Sequence, residues 1–128
     1  MPARPTPSSD PDQPERLPPR ERRLRTPQMY KRVFETGRAL RSAPLTVRFA
    51  RLAPERTRVG FIIRKRSGNA PLRNAIRRVL RQCFFEALPS LSEGTWVVFD
   101  VPERASRFSR TEMRAQAMQL LAVIAESP

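Results

Sequence analysis

Histidine is absent from the 128 residues and cysteine occurs once. Without histidine there is no imidazole acid or base, no Cys–His pair and no Cys/His zinc site. The lone Cys83 cannot close an internal disulfide, which fits a reducing compartment. It falls on the apolar face of an expected helix and reads as a small core residue. Lysine is scarce as well: of 25 basic residues only Lys31 and Lys65 are lysines. The chain has no long hydrophobic run. Its longest, Leu120 to Ala125, is far too short to span a bilayer, and the first residues contain no signal-like apolar stretch. A cytoplasmic location without a membrane partner is therefore expected.

Acidic residues number 12 against the 25 bases, and none lies between Arg56 and Gln82. Outside the first 25 residues the acids are Glu35, Glu55, Glu86, Glu93, Asp100, Glu103, Glu112 and Glu126. They are scattered, whereas a two-metal nuclease needs carboxylates that converge on one point. No catalytic side chain and no metal site are expected.

What is abundant is arginine. The net charge of +13 speaks to partners rather than to fold. Nucleic acid leads, with an anionic membrane or an acidic protein behind it. Arginine grips phosphate with a planar fork and stacks on bases. An Arg-for-Lys bias also follows from base composition alone, so the excess does not decide the matter.

Residues 1–25 stand apart, with seven of the 14 prolines between Pro2 and Pro19. So few apolar residues cannot offset the entropy of ordering, and a disordered tail is expected. It is either passive or a loose aid to RNA binding. A folded domain is expected over 26–128, starting with Thr26 as helix cap and Pro27 in the first turn, and stopping at Gly37. Leu45 to Leu52 alternates as a half-buried strand, Pro54-Glu55-Arg56 reads as a hairpin turn, and Arg58 to Arg64 is the next strand. A helix from the Ser67–Pro71 loop to about Leu88 carries Ile76, Val79, Leu80, Cys83, Phe84, Ala87 and Leu88 on one stripe. Thr95 to Val101 is a strand, and a last helix from about Ser109 carries Met113, Ala117, Leu120, Leu121 and Ile124. The order is α-β-β-α-β-α, with room for a short strand near Leu40. Helices are expected on one face of a small sheet, leaving the other face free.

The densest charge lies from Arg64 to Arg81, a basic turn followed by the helix. Gly68-Asn69 and the helix start expose backbone amides suited to phosphate. Asn74, Arg77, Arg78 and Arg81 are expected to project together, and such a row can track an RNA backbone; its alternative is a solvated face. Tyr30 and Phe34, four apart, are either stacking platforms for unpaired bases or core residues. Trp96 reads as core.

The run from Val59 to Arg81 resembles the signature of the bacterial ribonuclease P protein component: a hydrophobic strand, paired basic residues, Gly68-Asn69-Ala70, then Arg73-Asn74 and a closing Arg-rich stretch. Leu24-Arg25, Tyr30-Lys31-Arg32-Val33-Phe34 and Gly37-Arg38 are similar to that family's opening helix, and the resemblance covers roughly residues 24 to 125. It implies an α+β fold, an α-β sandwich with a small, mostly antiparallel sheet of the ribosomal protein S5 domain 2-like type and a left-handed βαβ crossover. It implies a protein that assists a catalytic RNA in removing the 5′ leader of precursor tRNA, with the magnesium ions held by the RNA. The partners implied are ribonuclease P RNA and precursor tRNA, in a 1:1 complex containing one copy of the protein. Carried over residue by residue, Arg66, Gly68, Asn69, Arg73, Asn74, Arg77, Arg78 and Arg81 would contact the catalytic RNA. Tyr30, Phe34, Arg48, Arg64 and Lys65 would form the leader cleft or its rim. The chain departs from the pattern at Ala75, where a basic residue is usual, at Ser67, where an aliphatic is usual, and at Arg64, where a small polar residue is usual.

Overall fold

The computed structural model describes residues 22–42 and 45–127, and its most apolar strand sets the topology. In chain order the elements are α1 (Pro27–Thr36), β1 (Arg38–Ser42), β2 (Leu45–Arg51), β3 (Arg58–Ile63), α2 (Ala70–Ala87), β4 (Thr95–Val101) and α3 (Arg110–Glu126). Every residue of β4 except Asp100 is buried. A strand apolar on both faces belongs in the middle of a sheet. Accordingly the order is β1-β2-β4-β3, with β2 antiparallel and β3 parallel to β4. This corrects the expected hairpin: Pro54–Arg56 joins two strands that lie on opposite sides of β4. The connection from β3 to β4 is a parallel crossover through α2, and β1 does form beside β2.

The main core lies between one sheet face and two helices. Val47 and Phe49 of β2 and Val97, Phe99 and Val101 of β4 meet Leu80, Cys83 and Phe84 of α2 and Met113, Leu121 and Ile124 of α3. Phe84 is fully buried, so truncating it to alanine would cost about 3–5 kcal/mol. Cys83 is the small core residue expected, and burial pushes its thiol up to about 11. Helix α3 starts with a capping box in which the Ser109 hydroxyl accepts from Glu112 N–H and the Glu112 carboxylate accepts from Ser109 N–H. At its other end Arg51 Nη2 donates to the carbonyls of Ile124 (2.6 Å) and Ser127 (2.7 Å), filling acceptors a helix end leaves open.

The second sheet face is not free. Helix α1 lies on it, and Val33 packs with Trp96, Val98 and Leu24. Trp96 and Val98 alternate with the core-facing residues of β4, so this face is too apolar to be left in water. The caps of α1 are as expected: the Thr26 hydroxyl accepts from Met29 N–H, and Gly37 follows the last turn. Most of the tail expectation lies outside the described residues. Where they begin, the domain reaches further upstream than 26. Leu24 N–H donates to Val59 carbonyl at 3.0 Å, Arg23 bridges to Val59, and Leu24 is buried. Gly60 makes this approach feasible, since a Cβ there would come within 2.8 Å of Leu24 Cδ1.

Candidate nucleic-acid interface

Two cationic surfaces flank β3. The first follows its C-terminal end. After Ile63 the chain turns through a short 3₁₀ segment, Lys65–Ser67, and enters α2. The buried Ser67 hydroxyl donates to Pro102 carbonyl at 3.0 Å, tying the turn to the segment after β4. An aliphatic side chain could not make that bond, so this departure is a loop anchor. Gly68 has φ +150°, a conformation nearly restricted to glycine. Asn69 caps α2, its Oδ1 accepting from Leu72 N–H at 2.9 Å, so part of that side chain is committed to the helix.

On and before α2, Lys65, Arg66, Asn69, Asn74 and Arg78 are exposed and Arg73 and Arg77 half-buried. Arg77 Nη1 donates to Asn74 Oδ1 at 2.9 Å, which aims the guanidinium along the surface. Arg81 does not join this open row. It is 5 % exposed and lines a tight recess with Arg23, Leu24, Tyr30 and Phe61. Leu24 lies along the edge of β3, and the recess it lines there also takes in Arg77, an arrangement that helical spacing alone does not reveal. Ala75 is buried as well.

The second surface is built on the sheet face that carries α1. Three cross-strand rows are presented there: Arg58–Trp96–Ala50, Gly60–Val98–Arg48 and Ile62–Asp100–Thr46, the last continuing to Arg41. Helix α1 covers the first two. Tyr30 lies over Gly60, its hydroxyl accepting from Phe61 N–H at 3.2 Å. It is therefore fixed in packing and is not an open platform. Phe34 is 42 % exposed, and the Arg48 guanidinium sits 4.6 Å from its ring centroid.

The third row is left open, and beside it lies a cleft of about 520 Å³ lined by Arg41, Arg48, Arg64, Asp100, Glu103 and Arg104 among others. Arg64 Nη1 donates to Asp100 Oδ1 at 2.5 Å. That bond, and then the carboxylate's charge, hold the guanidinium still more firmly protonated than usual.

Of the residues expected at the cleft, Arg48 and Arg64 line it, and Phe34 is tied to it only through its ring contact with Arg48. The structure places Tyr30 on the β3 side and Lys65 on the turn. Arg41, Asp100, Glu103 and Arg104 were missed. Asp100 had a signal, since it alternates with Trp96 and Val98 and must share their face; Arg104, beyond the strand, had none. Among the described residues no group of three or more Cys, Asp or Glu is placed to hold a metal ion. No helix among them is long and apolar enough to cross a membrane.

A small α+β protein that shows a basic turn and helix without an acid from Arg56 to Gln82 on one side, and an arginine-lined cleft on the other, has the charge distribution of the class of proteins suited to polyanions. Within that class, the chain belongs to the ribonuclease P family, whose pattern it matches over residues 18–125. It is 40% identical over 82 residues to the ribonuclease P protein component of Chloroflexus aggregans, covering 64% of this chain and 61% of that one. To the protein component of Roseiflexus castenholzii it is 39% identical over 77 residues, covering 60% of this chain and 63% of that one. The matched stretch therefore spans somewhat less than two thirds of these relatives' length. In fold it is similar to the RNase P protein of Staphylococcus aureus (TM-score 0.72, 19% identity, 81% of this chain and 94% of that one). It is likewise similar to that of Thermotoga maritima (TM-score 0.69, 24% identity, 80% and 96%).

Proposed function

We propose that this chain is the protein subunit of a bacterial ribonuclease P, acting in the cytoplasm as one copy bound to one catalytic RNA. The observation that carries the reading is the acid-free run from Arg56 to Gln82, displayed on a turn and helix whose Arg66, Arg73, Arg77 and Arg78 reach the surface. These side chains, with Gly68, Asn69 and Asn74, hold the backbone of ribonuclease P RNA. Phosphate neutralisation dominates the affinity and makes it fall steeply with salt. Arg81 supports this surface from beneath rather than touching RNA.

The cleft beside Phe34 and Arg48 takes the single-stranded 5′ leader of precursor tRNA. An aromatic ring open to solvent and a set of guanidinium groups are the parts such a strand needs: one stacks on bases, the others follow phosphates. The protein supplies position and charge. Hydrolysis of the phosphodiester, which leaves a 5′-phosphate on the mature tRNA, belongs to the RNA and the magnesium ions it holds. Bound to both partners, the protein screens their mutual repulsion and fixes the leader relative to the scissile bond. The test is precursor-tRNA cleavage at low magnesium with the cognate ribonuclease P RNA. Stimulation by the protein, with no cleavage by protein alone, is expected. RNA binding without stimulation would overturn the reading in favour of a ribosome-type RNA-binding module.

A further inference from the structure

The two cationic surfaces meet at one seam. The parallel ladder of β3 and β4 ends at the pair Ile63–Val101. Past that pair, β3 runs into the basic turn, and β4 runs into Pro102, Glu103 and Arg104, which form a wall of the cleft. Side chains therefore join the two segments. Along 64–69, Arg64, Lys65, Arg66 and Asn69 are exposed, and only Ser67 is buried. Its hydroxyl donates to Pro102 carbonyl at 3.0 Å, and the Val101 carbonyl lies 3.5 Å from the same oxygen. Neither carbonyl depends on that hydroxyl for a partner. Pro102 carbonyl also accepts from Ala105 N–H at 3.1 Å, and Val101 carbonyl from Arg64 Nη1 at 3.2 Å. What the Ser67 bond adds is a tie between the turn and the wall. Drawing the turn away would leave the buried hydroxyl unpaired, which penalises every displaced arrangement. Helix α2 starts two residues past Gly68, capped by Asn69, so its arginines inherit the position of the turn.

We propose that Ser67 is a positioning residue that sets the spacing between the two surfaces, and with it the register of the leader against the catalytic RNA. This rests on the reading that the turn and α2 hold that RNA while the cleft receives the leader. Ser67, being buried, touches neither strand. It acts through Pro102 and the wall residues Glu103 and Arg104 that follow it. Each surface keeps its own charges without the tie, so each binds its strand alone as well as before. What suffers is simultaneous binding in the aligned arrangement, where small misplacements far from the chemistry are costly.

The test is Ser67→Ala, which removes only the hydroxyl. Three quantities are measured: affinity of the full chain for ribonuclease P RNA, its affinity for a leader-length single strand, and the holoenzyme's preference for precursor over mature tRNA. The first two should stay within about two-fold. The preference should fall by about two- to ten-fold, a loss bounded by the worth of one hydrogen bond. Ile124→Val, which loosens the core under α3 away from the seam, should leave the preference unchanged. If the alanine variant does not fold, Ser67→Cys, close in volume and a weak donor, carries the test with the same direction expected. An unchanged preference overturns the proposal, because Ser67 is then only a small packed residue. Loss of affinity for ribonuclease P RNA in the same proportion also overturns it, because Ser67 then shapes the turn alone. So does an equal loss of preference in Ile124→Val, which would tie the effect to general stability. If the unaltered holoenzyme shows no preference for precursor tRNA, the leader reading itself has failed and the proposal with it.

Discussion

The basic helix and the sheet cleft are both rich in arginine, but they hold their charges differently. Along the turn and α2 the guanidinium groups have no acid within the run from Arg56 to Gln82, and a neutral Asn74 orients Arg77. In the cleft, Arg64 is paired with Asp100, Arg48 is laid against Phe34, and Glu103 stands nearby. Unpaired charges at a surface attract any phosphate backbone and are weakened by salt. Charges already engaged by a carboxylate or a ring are fixed in direction and offer less net attraction. The helix is thus suited to affinity and the cleft to position, a division that charge counts along the chain do not reveal.

The sharpest break within the helix itself is between Arg81 and Arg78. Arg81 is 5 % exposed and Arg78 is exposed. Arg81→Ala should cost about 2–4 kcal/mol of stability in urea unfolding, through lost packing of its stem and its buried partners. Arg78→Ala should change stability by less than about 0.5 kcal/mol. Equal stabilities for the two variants would place Arg81 back in the open row. The entry to the helix gives the next largest effect. Gly68→Ala, at φ +150° with Leu72 Cδ2 2.4 Å from the added Cβ, should lower stability by about 1–3 kcal/mol. A melting temperature equal to that of the unaltered protein would contradict the strain.

On the cleft side, Phe34→Ala should weaken leader-length single-stranded RNA by about 1–3 kcal/mol and leave the affinity for ribonuclease P RNA nearly unchanged. For Arg78→Ala the informative quantity is the salt dependence. The slope of log affinity for ribonuclease P RNA against log salt should fall by about 0.7–0.9, one phosphate contact. The smallest effect is at Cys83. Its folded pKa of about 11 lies above the ordinary 9.0, so the neutral thiol is the form the core accepts. Its contribution is fully present below pH 9.0 and is lost as pH rises from 9.0 through about 11. Thiol reagents near neutral pH should label it only on unfolding.

Local pattern carried much of this structure. The stripe of α2, the stripe and cap of α3, the β4 strand and the cap of α1 all follow from spacing and capping residues that neighbours in sequence decide. Strand order does not. The β2–β3 hairpin looked natural until β4, buried on both faces, needed partners on both edges. Leu24 was missed because its burial depends on a recess made by Gly60 and Tyr30, distant in the chain. The same upstream segment lines the recess in which Arg81 lies. Arg48 and Arg64 line the cleft as expected, whereas the Arg64–Asp100 pair depends on two strands meeting in register.

The most direct measurement is a paired one on the holoenzyme. Affinity for ribonuclease P RNA, and preference for precursor over mature tRNA, would be compared in Arg73→Ala/Arg78→Ala and in Phe34→Ala. The account predicts that the helix variant loses RNA affinity and keeps the leader preference, and that Phe34→Ala does the reverse. Equal loss of both properties in both variants would contradict the division between the two surfaces.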